Sequence, residues 1–150
     1  MKELKVSAIH KGTVIDHIPS GKGLKVLEIL NLPEDSTILI AVNVRSEKLG
    51  KKDIIKVEGK ILSKDEVNKI ALIAPTATVN IIDKWEVVEK KNVEVPDEII
   101  GIIKCANPNC ITHYEKVKPK FKVISKKPLK LKCHYCERTM EEEIIAKNLL

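Results

Sequence analysis

Cys105-Ala-Asn-Pro-Asn-Cys110 and Cys133-His-Tyr-Cys136 decide how this chain is divided. Two short-range cysteine pairs bridged by 22 residues can bring four thiolates around one ion, the closed tetrahedral shell of a structural zinc site. The sequence holds 4 cysteines in all, so one site consumes every thiol. Two disulfides are the competing use of the same residues. They belong mostly to small secreted domains, and the N-terminal run Met1–Val6 has no long apolar stretch of the leader type. No segment reaches the ~18 apolar residues of a membrane span. The expectation is a soluble, cytoplasmic protein with one structural Zn²⁺. A catalytic zinc keeps an open position, which a four-cysteine shell does not leave. His113 and His134 then lie beside the metal rather than on it.

Upstream of the cysteines, the 150 residues alternate strand and helix signals. Leu4 to Ile9 alternates apolar and polar, and Gly12 to Ile18 continues as extended chain. Pro19 to Gly23 breaks it. Leu24, Val26, Leu27, Ile29 and Leu30 form one helical stripe. Thr37 to Val44 is apolar on both faces and predicts a central, buried strand. Ser46 to Lys52 reads as a polar turn around Gly50, and Asp53 to Glu58 as a strand. Ser63-Lys-Asp-Glu66 is a capping box, predicting a helix that stops before Pro75. Thr76 to Ile82 is a strand that Lys84 to Val88 extends or follows, and Glu89 to Glu98 reads as linker. The order βαββαβ predicts an α+β protein: an N-terminal ferredoxin-like domain with both helices on one face, then a small, mostly-β, zinc-ribbon-like domain. Short strands at Phe121–Ser125 and Leu129–Lys132 frame the metal. The apolar tail 144–150 either caps this small core or meets another protein.

The net charge is +6 and lies unevenly: residues 1–98 balance to zero, and residues 99–150 carry all of it. This permits a nucleic-acid-binding zinc ribbon, against which the aromatic content of 3% argues, because single strands are normally held by stacking. Enzyme signatures are missing. There is no Ser-His-Asp set with a nucleophile turn, and Gly21-Lys-Gly23 lacks phosphate-loop spacing. Asp16 and His17 are adjacent in an extended segment, which sends them to opposite faces so that they form no acid–base pair by themselves; the plain reading makes Asp16 a turn or edge residue and His17 a satisfied, partly buried histidine. Lys52 and Lys56 share a strand face roughly 13 Å apart. With Lys90 they could hold a triphosphate as point charges, while Asn80 reads a base edge.

Gly12-Thr-Val-Ile-Asp-His-Ile-Pro19, Lys52-Asp-Ile-Ile-Lys-Val-Glu58 and Ala74-Pro-Thr-Ala-Thr-Val-Asn80, together with the cysteine frame Cys105-x-Asn-Pro-Asn-Cys-Ile-Thr112 and Cys133-x-Tyr-Cys136, closely resemble the aspartate carbamoyltransferase regulatory chain family. The likeness runs along nearly the whole chain, in order. It implies a non-catalytic allosteric subunit in pyrimidine biosynthesis. Residues 1–95 would bind nucleoside triphosphates, with ATP activating, CTP inhibiting and UTP assisting in some members. Residues 99–150 would carry zinc on Cys105, Cys110, Cys133 and Cys136 and dock on the catalytic chain. Regulatory chains of this family pair as dimers through their N-terminal domains and link two catalytic trimers. Neither nucleic acid nor membrane is an implied partner. Carried over, the nucleotide site comprises Ala8, Ile9, Val14, Asp16, His17, Lys52, Lys56, Asn80, Ile82, Trp85, Val87 and Lys90. Asp16 would accept from the ribose, and Lys56 and Lys90 would take ribose and phosphate contacts. Ser7, His10 and Trp85 depart from the family's acidic residue, lysine and tyrosine, which bears on the preference between ATP and CTP.

Overall fold

The computed structural model describes residues 9–150. The predicted strand over Leu4–Ile9 therefore falls, except for Ile9, outside the described residues, as does Ala8. The chain forms two compact units, residues 1–94 and 95–150.

The first unit is a five-stranded antiparallel sheet with two helices. Its elements are β1 (Gly12–Pro19), α1 (Gly23–Leu30), β2 (Ile38–Ser46), β3 (Gly50–Glu58), α2 (Lys64–Ile73), β4 (Thr78–Asp83) and β5 (Glu86–Asn92). The strand order is β2-β3-β1-β4-β5, the split βαβ arrangement with one strand added beyond β4. Ile40, Ile55, Ile15 and Val79 lie opposite one another across the sheet. In that row Ile15 and Ile55 are fully buried, and Val26, Ile70 and Ala71 of the helices are equally closed to solvent. The helices meet each other, and α1 lies on β2 and β3. α2 begins as its sequence dictates: Ser63 Oγ accepts from the Glu66 amide at 3.2 Å, and Glu66 Oε1 accepts from the Ser63 amide at 3.0 Å.

Four expectations fail here, three because pairing across the sheet overrides local pattern and one because only part of the α1 stripe is covered. β2 is an edge strand, not a central one, and its Leu39 and Val42 are 41% and 45% exposed. Its apolar run presents a face that is left partly uncovered among the described residues. Leu24 is 66% exposed, so the stripe of α1 narrows to Val26 and Leu30, with Gly23 at its buried start. Glu89 to Asn92 is not linker but the second half of β5, joined to β4 through Lys84 and Trp85 at φ 50° and 70°. Two successive positive φ values make the two-residue hairpin turn whose twist matches the strands. Finally, Asp16 and His17 do not simply alternate. β1 bulges between Ile15 and Ile18, with His17 at φ 55°, and β1 lies third in the order, not at an edge. A bulge adds a residue and re-aims the side chains after it.

The second unit is a four-stranded antiparallel sheet, β6 (Glu98–Ile100), β7 (Lys120–Lys126), β8 (Leu129–Cys133) and β9 (Thr139–Glu141), with a short helix α3 (Glu142–Lys147). Phe121, Leu131 and Ile145 are fully buried, and Ile99 and Met140 nearly so. The apolar tail closes this core. Leu149 pairs with Ile103, and the Lys104 amide donates to the Asn148 carbonyl at 2.8 Å. Ile144 and Leu150 stay about half exposed.

Candidate functional sites

The four cysteines converge. Their sulfurs all lie within 4.8 Å of one another, with Cys105 to Cys136 and Cys110 to Cys133 both at 3.7 Å. A disulfide needs ~2.05 Å. Around an ion with metal–sulfur bonds of ~2.3 Å, tetrahedral geometry puts sulfurs ~3.8 Å apart. The donor set and spacing therefore fit one structural zinc. Two knuckles supply the ligands. Cys105 and Cys110 flank the turn in which the Asn109 amide donates to Asn107 Oδ1 at 3.1 Å. Cys133 ends β8, and the tight turn behind it returns the Glu137 amide to the Cys133 carbonyl at 3.0 Å, with Glu137 at φ 64°. Burial pushes the Cys105 and Cys133 thiols up, so a cation is what makes thiolates favourable there. Thr112 Oγ1 donates to Cys110 Sγ at 3.3 Å. His113 spends Nε2 on the Cys105 carbonyl at 2.9 Å and so supports the loop without ligating.

In the first unit, the cross-strand register assembles a second cluster. Lys56 of β3 lies opposite Val14 of β1, Val14 opposite Asn80 of β4, and Asn80 opposite Lys90 of β5. Directly opposed residues project from the same face, so one row carries Lys56, Val14, Asn80 and Lys90 across four strands. Ile82 and Val87 form a further cross-strand pair nearer the hairpin turn. Asp16 lies one step along this face and pairs with Lys52, Oδ1 to Nζ 3.0 Å. Burial lowers the Lys56 pKa, against the opposing pull of Asp16. His17 donates or accepts through Nδ1 with Thr78 Oγ1 at 3.0 Å. Its pKa falls below 6.5, first by burial and then through Lys52, Lys48 and Lys90, with Asp16 opposing. Ile9 is half-buried at the start of the described chain. Trp85, 63% exposed in the turn, meets His10 edge to face with ring centroids 5.2 Å apart.

Beside Lys52 opens a cleft of about 330 Å³ lined by His17, Val44, Arg45, Ser46, Lys48 and Lys52, among others. Only His17 and Lys52 of this lining were legible as site residues. Arg45 lies at the end of β2 and Lys48 in what reads as an ordinary solvated turn, and their clustering with β1 depends on sheet order.

These two sites coincide with the two parts of one known architecture. A family model described as "Aspartate carbamoyltransferase regulatory chain, allosteric domain" matches residues 4–94, and one described as its "metal binding domain" matches residues 97–146. The chain belongs to the aspartate carbamoyltransferase regulatory chain family. It is 89% identical over 150 residues to the regulatory chain of Thermococcus sibiricus, covering 100% of both chains. It is 70% identical to that of Pyrococcus furiosus, covering 99% of this chain and 100% of the other. It is 56% identical to that of Methanocaldococcus jannaschii, covering 96% and 97%. The family is that of the non-catalytic subunit, and its metal-binding domain is the unit holding the cysteine cluster. Among the described residues, no helix is long and apolar enough to cross a membrane.

Proposed function

We propose that the chain binds nucleoside triphosphate effectors on the open face of its first sheet and transmits their occupancy to a catalytic chain held by the zinc unit. The effector domain spans residues 1–95 and the docking domain residues 99–150. The observation that carries this reading is the cross-sheet row Lys56–Val14–Asn80–Lys90, flanked by the Asp16–Lys52 pair. Lysines from two strands give point charges for phosphates, Asp16 offers a carboxylate to ribose hydroxyls, and Asn80 offers an amide to a base edge. Trp85 supports the same reading. A bulky residue is disfavoured at positive φ, yet it stands there exposed, where its ring can cover a base.

An effector shifts the enzyme only if it binds the chain differently in the active and inactive assemblies; couplings of about 1–3 kcal/mol are usual. A zinc-fixed unit suits this role because its docking loops keep their shape while the first unit responds. The exposed edge of β2, with Leu39 and Val42 open, supports pairing of two regulatory chains along that strand. The test is calorimetric titration of the zinc-loaded chain with CTP and with ATP. Saturable one-site binding that Lys56→Ala weakens supports the site. Equal binding by wild type and Lys56→Ala removes the cross-sheet row from the account.

A further inference from the structure

Asp53 is a carboxylate with no exposed surface, one residue along β3 from Lys52. Its position on β3 puts it on the helix-covered face, away from the proposed effector face. Three backbone amides donate to it, two from the turn that opens α1 and one from β2. Oδ2 accepts from Gly21 at 3.1 Å and from Gly23 at 2.8 Å, and Oδ1 accepts from Asn43 at 2.9 Å. α1 has no cap of its own, because Lys22 stands at its N-cap position and makes no side-chain cap bond. The cap comes instead from β3, with the carboxylate at the positive end of the helix dipole. Gly23 is what permits this approach. A Cβ there would lie 2.8 Å from Asp53 Oδ2 and 2.9 Å from Asp53 Cβ.

The three bonds coincide with two irregularities. β1 bulges between Ile15 and Ile18, and β2 bulges between Ala41 and Val44. After their bulges, β1 pairs Ile18 with Asp53 and β2 pairs Val44 with Lys52. Both neighbours of β3 are thus irregular at the same level, Lys52–Asp53. His17 sits at φ 55° in one bulge, and Asn43 at φ 60° in the other. The Asn43 bond fixes the β2 bulge, from which Val44, Arg45 and Ser46 run into the wall of the cleft. The glycine bonds fix the turn leaving β1, whose bulge delivers His17 to the opposite wall. Ser20 Oγ donates to Asn43 Oδ1, which ties the turn to the β2 bulge directly.

We infer that Asp53 is the positioning residue of the cleft beside Lys52, which borders the proposed effector row through His17 and Lys52, holding the His17 wall and the Arg45 wall at a set separation through one buried carboxylate. It touches no ligand itself. The inference rests on the effector reading above and names the group on which that site's geometry depends. Outer residues that orient metal ligands typically change affinity by about ten- to a hundredfold when altered, and a residue that orients the walls of a cleft acts in the same way.

The experiment uses the full zinc-loaded chain as wild type, Asp53→Asn and Gly23→Ala. Asp53→Asn keeps the volume but cannot accept on both atoms. Gly23→Ala keeps the carboxylate but displaces it, so it carries the test if Asp53→Asn fails to fold. The readouts are CTP affinity by calorimetry and the His17 ring signals by ¹⁵N-resolved NMR, with Ser63→Ala, which makes no bond to Asp53 and does not line the cleft, as a destabilised control. Expected are variants folded by circular dichroism, CTP binding weakened about tenfold or more, shifted His17 ring signals, and neither change in Ser63→Ala. Wild-type CTP affinity in the Asp53 and Gly23 variants, or affinity loss equal to that of Ser63→Ala, overturns the inference. If wild type binds no CTP, the effector reading fails separately. The His17 signals then decide alone: shifted in both variants, the positioning role stands; unchanged, it falls.

Discussion

Removing the metal should unfold the second unit while leaving the first intact. A folded domain the size of residues 95–150 ordinarily holds about 3–8 kcal/mol in total. The apparent binding energy of structural zinc in small peptide sites is ~10–16 kcal/mol near neutral pH. The ion's contribution thus exceeds what the buried set around Phe121, Leu131 and Ile145 can hold by itself. The aromatic residues separate the two units optically. The single tryptophan, Trp85, belongs to the first unit, and both tyrosines, Tyr114 and Tyr135, belong to the second. Chelation, followed by metal analysis to confirm complete removal, should abolish tyrosine near-ultraviolet circular dichroism and leave Trp85 fluorescence unchanged. Cys110→Ser should do the same without chelator, and in both cases an associated catalytic chain should be released on gel filtration. Persistence of amide protection at Phe121 and Leu131 in demonstrably metal-free protein would refute the reasoning.

Three further outcomes follow from named contacts. Because His17 titrates below 6.5 in the folded chain, the unfolded chain takes up its proton first; the associated stability is present above pH 6.5 and is lost as pH falls through the folded pKa. The melting temperature should drop over that interval, and His17→Gln should flatten the drop; parallel curves for both proteins would refute it. Ser63→Ala removes the hydroxyl that caps α2 and should cost about 1 kcal/mol, measured by denaturant titration. Leu39→Lys combined with Val42→Lys should leave the isolated chain monomeric in analytical ultracentrifugation and still folded by circular dichroism, as expected of exposed positions on an edge strand.

The parts legible in the sequence are those whose causes lie within a few residues. The capping box at Ser63–Glu66 announces α2 because both partners sit on one turn. The cysteine pairs announce a metal because tetrahedral thiolate ligation constrains spacing inside each knuckle. The motifs around Lys52, Lys56 and Asn80 mark the proposed effector face because regular strand alternation commits each of these side chains to a side.

Sheet order was decided elsewhere. Thr37–Val44 reads as a central strand, since an apolar run is the same string whether its second face meets a helix, another strand or a second chain; only the pairing β2-β3-β1-β4-β5 leaves it at the edge. The bulges at His17 and Asn43 leave no mark in composition, because they arise where two strands of unequal count meet β3. Asp53 is the clearest case. In the sequence it is one acid in a strand, and its role exists only once Gly21, Gly23 and Asn43, distant along the chain, aim their amides at it. Local sequence determined the helix cap, the metal ligands and the face of the site. The tertiary structure decided the edge, the bulges and the carboxylate that holds the cleft, because each depends on hydrogen-bond donors brought together only by folding.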